Sequence, residues 1–365
     1  MPSRFWAERG LASALAAALL LTAAGCGDEQ TDLADATVRI YVSLPLRGPS
    51  GADGRDAADG ARLALADAGG EAGGVAVEAT YLDDTEGVGD KARWTPAQAG
   101  ANARAATQDA AAIAYLGDFE SGATRASLPL TNEARMLQVS PASGAVDLVA
   151  TGVGEDEVPD VQSIGERTFG RVIPGDDAQA AAAAEWAGEL RADRVAIDSD
   201  GSPFARNLAD AFRLAANRAG VAVVEANPSL TYLAGRPTPT GVDEIGSDAY
   251  LLPPGQDAPT LVTSAALDPS QLPPEGQDFV DRFGDEYSRR PGRFAAYGYE
   301  AMAVILDSVE RASDPADRPS VVEAFFGTTD RDSVLGKYSI DELGDTTLER
   351  MTGYGGKAPV ELTAR

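Results

Sequence analysis

Two adjacent carboxylate pairs, Asp83-Asp84 and Asp176-Asp177, are the first places to look for acid–base chemistry. Neighbouring side chains on a strand point to opposite faces, so neither pair converges on one substrate as paired catalytic carboxylates must. They read instead as a strand-end cap and as a hinge with a helix start. The acidic run Gly154-Glu155-Asp156-Glu157-Val158-Pro159-Asp160 lacks the ligand spacing of a calcium loop and reads as a solvated loop. Composition removes the other catalytic chemistries. No histidine and a single cysteine occur in 365 residues, which excludes Ser-His-Asp triads, HExxH zinc sites, thiolate metal clusters and intrachain disulfides. No side chain that normally titrates near neutrality is present. A net charge of −27, from 30 Lys+Arg against 57 Asp+Glu, opposes binding to nucleic acid and docking on anionic lipid. The expectation is a protein that is not an enzyme and carries no cofactor and no metal.

The one cysteine has chemistry of its own. Arg4 and Arg9 precede an uncharged apolar run at 11–24, which is short for a membrane span and ends in Ala23-Ala24-Gly25-Cys26. Small residues before a lone cysteine look like a bacterial lipobox, in which the Cys26 thiol receives a diacylglyceryl group. The alternative is an ordinary secretory signal with a chance cysteine. Residues 1–25 are thus expected to be a lipoprotein signal peptide, and 26–36 the lipidated cysteine and a polar tether. The chain is expected outside the cytoplasm, held by lipid on the outer face of the cell membrane.

The elements that must position any site alternate along the body. Apolar, β-branched runs at 37–44, 75–82, 111–117, 136–139, 194–198 and 221–225 predict strands. Between them, helical spacing predicts helices at 54–68, 95–109, 121–134, 178–190 and 204–219. Such alternation gives parallel sheets covered by helices on both faces. From 227 to 264 six prolines interrupt the pattern, and only 230–233, 249–252 and 260–263 read as short strands. Helices resume at 276–289 and 295–312. Residues 314–319 read as a turn, and 336–340 with 346–354 as a closing hairpin.

Five stretches, from 40 to 354, carry a resemblance. They are IYVSLPLRGPSGADGRDAADGARLALADAGG (40–70), YLDDTEG (81–87), YLGDFESGAT (115–124) with LQVSPASG (137–144), RVAIDSDGSPFARNLADAF (194–212), and YGYEAMAVILDSVERA (297–312) with VLGKYSIDELGDTTLERMTGY (334–354). Their order and spacing resemble the type 1 periplasmic-binding-protein family, in its leucine/isoleucine/valine-binding branch of ABC-transporter receptors.

The resemblance implies an α/β fold of two lobes, each a parallel sheet sandwiched by helices, joined by three crossover segments near 171–176, 264–267 and 335–337. The N-terminal lobe is expected over 37–173 and 266–335. A shortened C-terminal lobe takes 174–265 and 336–358, and 359–365 form a tail. The implied function is an extracytoplasmic solute-binding receptor that closes on an amino acid or related small carboxylate and works as a monomer with a membrane ABC permease. A ligand-sensing or degenerate scaffold of the same fold is the alternative. By resemblance, Ser121 starts a helix and meets the ligand carboxylate, with Phe119 beside it. Ser140, Ala142, Ser143 and Gly144 form a second ligand loop, whose hydroxyl sits at Ser143 where the family has one at the position of Gly144. Phe204 lines the cleft from the second lobe. Arg236 either meets an anionic ligand group or lies on the surface. The acid that pairs with a ligand ammonium in the family has no counterpart at its expected place, Pro253-Pro254-Gly255-Gln256.

Overall fold

The computed structural model describes residues 36–152, 157–240, 243–251, 259, 261–355 and 358–364. The signal-peptide and Cys26 readings, residues 154–156 of the acidic run and 253–256 lie outside these residues.

The first strand, β1 (Thr37–Leu44), alternates buried and part-exposed residues before becoming wholly buried. It pairs in parallel with β3 (Val75–Asp83) on one side and β6 (Ala112–Gly117) on the other. β7 (Leu137–Ser140) and β8 (Phe169–Arg171) extend the sheet, and β2 (Glu71–Ala72) closes its far edge antiparallel to β3, giving the order β2-β3-β1-β6-β7-β8. A two-stranded ribbon of β4 (Thr85–Glu86) and β5 (Arg93–Trp94) sits beside it. The helices of this lobe are α1 (Gly51–Asp67), α2 (Pro96–Gln108), α3 (Ser121–Glu133), α6 (Pro274–Tyr287), α7 (Ala295–Arg311) and α8 (Arg318–Phe326).

Helices α1 and α7 meet backbone to backbone. A Cβ on Gly60 would stand 2.0 Å from the Ala295 carbonyl oxygen, and one on Gly298 would stand 2.0 Å from that of Ala57. No side chain rotation relieves a clash with backbone. Gly298→Ala is therefore expected to cost about 2 kcal/mol by overpacking, read as a fall of several degrees in the unfolding midpoint. An unchanged midpoint would show that the helices separate freely.

The second sheet runs β10 (Ala222–Val223), β9 (Arg194–Ser199), β11 (Leu230–Ala234), β12 (Glu244–Gly246), β13 (Leu261–Ser264), β14 (Arg350–Tyr354), β15 (Pro359–Thr363). Its first five strands are parallel and its last two antiparallel. α4 (Asp176–Glu189) and α5 (Pro203–Arg218) pack against it. Their buried faces enclose Trp186, Phe212 and Tyr232, the last two stacked with ring centres 4.0 Å apart. Among the described residues no α-helix joins β11, β12 and β13.

Several elements differ from the expectation. Residues 249–251 of the expected strand at 249–252 do not form one; Asp248–Leu251 is a turn of 3-10 helix, and 252 lies outside the described residues. Ile340 bridges Thr346 across the expected turn, but residues 350–354 pair with 359–363, so most of the supposed tail is the edge strand β15, and Tyr338 bridges back to Arg331. The prolines concealed β12. Pro319 suggested a turn, but proline is well tolerated in a helix's first turn, and α8 starts there with Asp317 capping the Ser320 N–H at 3.0 Å.

The chain passes between sheets at 172–175 and 265–268. The third passage comes after the expected 335–337, because Leu335, Tyr338 and Ile340 belong to the first lobe's core and Thr346 to Glu349 are the residues that line the groove beside α4 and α5.

Candidate ligand-binding site

Parallel strands discharge their loops at one end, and ligands of such sheets bind there. β6 delivers Phe119 and Glu120 to the head of α3, which begins at Ser121. β7 delivers the loop 141–144. The first crossing brings Ile173 and Pro174, and α4 opens with Asp176. Together with Gly122, Gln179, Phe204, Asp248, Ala249, Ala265 and Phe294 they enclose a cavity of about 290 Å³. Phe119 and Phe294 meet edge to face within it, ring centres 4.7 Å apart.

Of the residues singled out in the sequence, Phe119, Ser121, Ala142, Gly144 and Phe204 line this cavity. Ser140 and Ser143 do not. Both are fully buried behind it and spend their hydroxyls on the scaffold. Ser140 Oγ donates to the Asp118 carbonyl at 2.6 Å and accepts from the Ser143 N–H at 2.9 Å. Ser143 Oγ lies 3.0 Å from the same carbonyl and 2.7 Å from Thr124 Oγ1. Arg236 is exposed and outside the cavity, and its N–H donates to Asp200 Oδ2 at 2.7 Å.

The displaced hydroxyl has a physical reason. A Cβ at Gly144 would stand 2.1 Å from Asp176 Oδ1, so a side chain here would expel the carboxylate. The Asp176 N–H also donates to the Gly144 carbonyl at 2.8 Å, joining the two loops.

The acids are what the sequence reading missed. Asp176, read as only a hinge and helix start, is 6% exposed, and its Oδ2 has no hydrogen-bond partner. Burial pushes its carboxyl up to about 7, with Arg171 opposing and Asp248 adding to the rise. Asp248 supplies the acid that seemed absent from this region. Burial raises it too, against the nearby Arg293 guanidinium and a hydrogen bond from Gln179. Glu120 is the third: burial pushes it up to about 7, against a hydrogen bond from Ser50. Asp248 was concealed because its segment read as a strand.

Among the described residues no basic side chain lines the cavity. Two guanidinium groups lie near it: Arg171, which is engaged elsewhere, and Arg293, whose Nε is buried without a hydrogen-bond partner. Arg171 is fully buried, bonds Asp345 at 2.5 and 3.0 Å and donates to the carbonyls of Ser143 and Ala145. Arg293 pairs with Asp53 at 2.9 Å.

The sequence pattern of the periplasmic binding protein family matches residues 37–232, more than half of the chain. The chain belongs to the periplasmic binding protein family. Among curated proteins, the Leu/Ile/Val-binding protein BraC3 of Rhizobium johnstonii is 24% identical over 358 residues, spanning 88% of this chain and 92% of that one. Among solved structures, the leucine-binding protein LivK of Thermotoga maritima superposes with a TM-score of 0.72 at 22% identity, over 89% of this chain and 98% of the other. A solute-binding protein of an ABC transporter from Rhodopseudomonas palustris, solved with benzoate, gives 0.69 at 15% identity, over 90% and 96%. At these identities the likeness establishes a shared fold.

Proposed function

We propose that this periplasmic binding protein is the extracytoplasmic receptor of an ABC importer, and that it holds an amino acid between its lobes. The observation that carries the reading is the polarity of the cavity. The head of α3, with Ser121, offers N–H groups and the positive end of a helix to a carboxylate. Asp176 and Asp248 offer negative charge to an ammonium, and Phe119, Phe204, Phe294 and Ile173 give the apolar wall. A carboxylate without an ammonium would leave both acids facing an anion. The cavity thus favours an amino acid over the benzoate type of ligand seen in one structural relative.

The two-lobed fold suits hinge closure, with the crossings as the flexing segments. Lipid attachment at Cys26, a position on the outer face of the membrane, a monomeric state and delivery to a permease complete the proposal. No reaction is assigned to it.

Thermal unfolding with a panel of amino acids and aromatic acids tests the reading. A ligand that binds only the folded state stabilises it by about 2.7 kcal/mol at a hundredfold excess over Kd. An upward shift with amino acids and none with benzoate is expected. A shift with benzoate alone would overturn the amino-acid reading, and no shift with any member of the panel would overturn the receptor reading.

A further inference from the structure

Asp176 and Asp248 account for one ammonium, and Glu120 remains. It stands between Phe119 and Ser121, and its Oε2 is shielded from solvent with no hydrogen-bond partner. An unpaired buried carboxyl oxygen is costly, more so when charged. Asp176 Oδ2 is orphaned in the same way on the same cavity. The acids form two groups. The charges acting on Asp176 are Arg171, Asp248, Asp177 and Asp147, whereas Glu120 interacts with Asp118 and Asp84. Asp176 and Asp248 belong to the second lobe and Glu120 to the first.

The cations nearest Glu120 are committed elsewhere. Arg47 and Arg93 border the small recess on its far side. Arg47 donates to Asp83 Oδ2 at 2.5 Å and to the carbonyls of Thr85 and Gly87, and Arg93 donates to the carbonyls of Asp90 and Ala92. Glu120 takes a hydrogen bond from Ser50, and its Oε2 is left for a group of the ligand to meet.

We infer that the ligand is a basic amino acid, with its α-ammonium on Asp176 and Asp248 and the cationic end of its side chain on Glu120 Oε2. This rests on the amino-acid reading above and narrows it. The cavity of about 290 Å³ is the space of roughly ten waters at ~30 Å³ each, and lysine has about that number of heavy atoms. A lysine-like chain would run along Phe119 and Phe294 from one acid group to the other.

Calorimetric titration of the purified protein at pH 7.5 with lysine, ornithine, arginine, norleucine, leucine and 1,5-diaminopentane tests this. Norleucine is lysine without the terminal amine, so their ratio isolates the Glu120 contact. A basic amino acid is expected to bind at least tenfold tighter than norleucine, and Glu120→Gln to lower that preference at least tenfold. Thermal unfolding of the ligand-free variant checks that it folds. Norleucine or leucine binding as tightly as every basic amino acid, or an unchanged preference in Glu120→Gln, would overturn the inference and leave the amino-acid reading standing. Binding of the diamine but of no amino acid would overturn both, as would no binding by any compound.

Discussion

Asp248→Asn is expected to weaken amino-acid binding about a hundredfold without destabilising the ligand-free protein. The ammonium of a bound amino acid, cut off from water by lobe closure, depends on the carboxylates that meet it. Neutralising one partner of such a desolvated pair costs upwards of about 2 kcal/mol, and a hundredfold corresponds to about 2.8 kcal/mol. Stability moves the other way. Burial already disfavours the ionised Asp248 in the folded state, so an isosteric amide removes a cost. Asp176→Asn should act similarly on binding, with some loss of helix stability, because an acid in the first turn of α4 complements the helix dipole. Titration calorimetry with the best amino acid of the panel reads the first effect, and thermal unfolding reads the second. Undiminished affinity in both variants would show that neither acid meets the ligand.

The second large effect concerns Asp84, which no ligand touches. It is fully buried, and both carboxyl oxygens lack hydrogen-bond partners. Burial, then the charges of Glu120, Asp118 and Asp83, push its carboxyl up to about 9. In the unfolded chain it ionises near 3.8. Between these values the unfolded state gives up a proton that the folded state keeps, so the contribution to stability falls as pH rises from about 4 to about 9. Asp118, pushed up to about 6, and Glu120 and Asp176, each to about 7, act in the same direction. The protein should therefore lose stability across the neutral range. Asp84→Asn removes the largest share. Each pKa unit is about 1.4 kcal/mol, and the amide returns part of that because its own N–H groups lack partners. A net gain of about 3 kcal/mol at pH 8 is expected, shrinking toward zero at pH 4.5, with unfolding midpoints measured at both. A gain independent of pH, or a loss at pH 8, would show that Asp84 is not the titrating group.

Both effects depend on residues whose types were plain in the chain and whose surroundings were not. Asp84 and Asp176 stood out as halves of acidic pairs. The alternation rule argued against joint catalysis, but Asp176 and Asp177 open helix α4 rather than lie on a strand, and the rule could not show that one member of each pair faces inward. Asp177, the neighbour of Asp176, lies on the surface groove beside α4 and α5. Asp248 was harder, since Ser247-Asp248-Ala249 has no period and prolines obscure the strand before it.

The sequence by itself determined the alternating α/β pattern and its interruption between β11 and β13. It also determined the loops at 119–121 and 142–144, and the exclusion of imidazole and thiolate chemistry. These follow from local periodicity, composition and glycine or proline punctuation, each read over a few neighbouring residues. The tertiary structure decided the rest. It set the sign of the cavity, turned the hydroxyls of Ser140 and Ser143 inward, left Arg236 outside and made residues 359–363 of the expected tail an edge strand. The physical reason is range. Whether a carboxyl stays unpaired and buried depends on what is packed against it, and Gly144, Asp176 and Asp248 meet only because the chain crosses between the lobes.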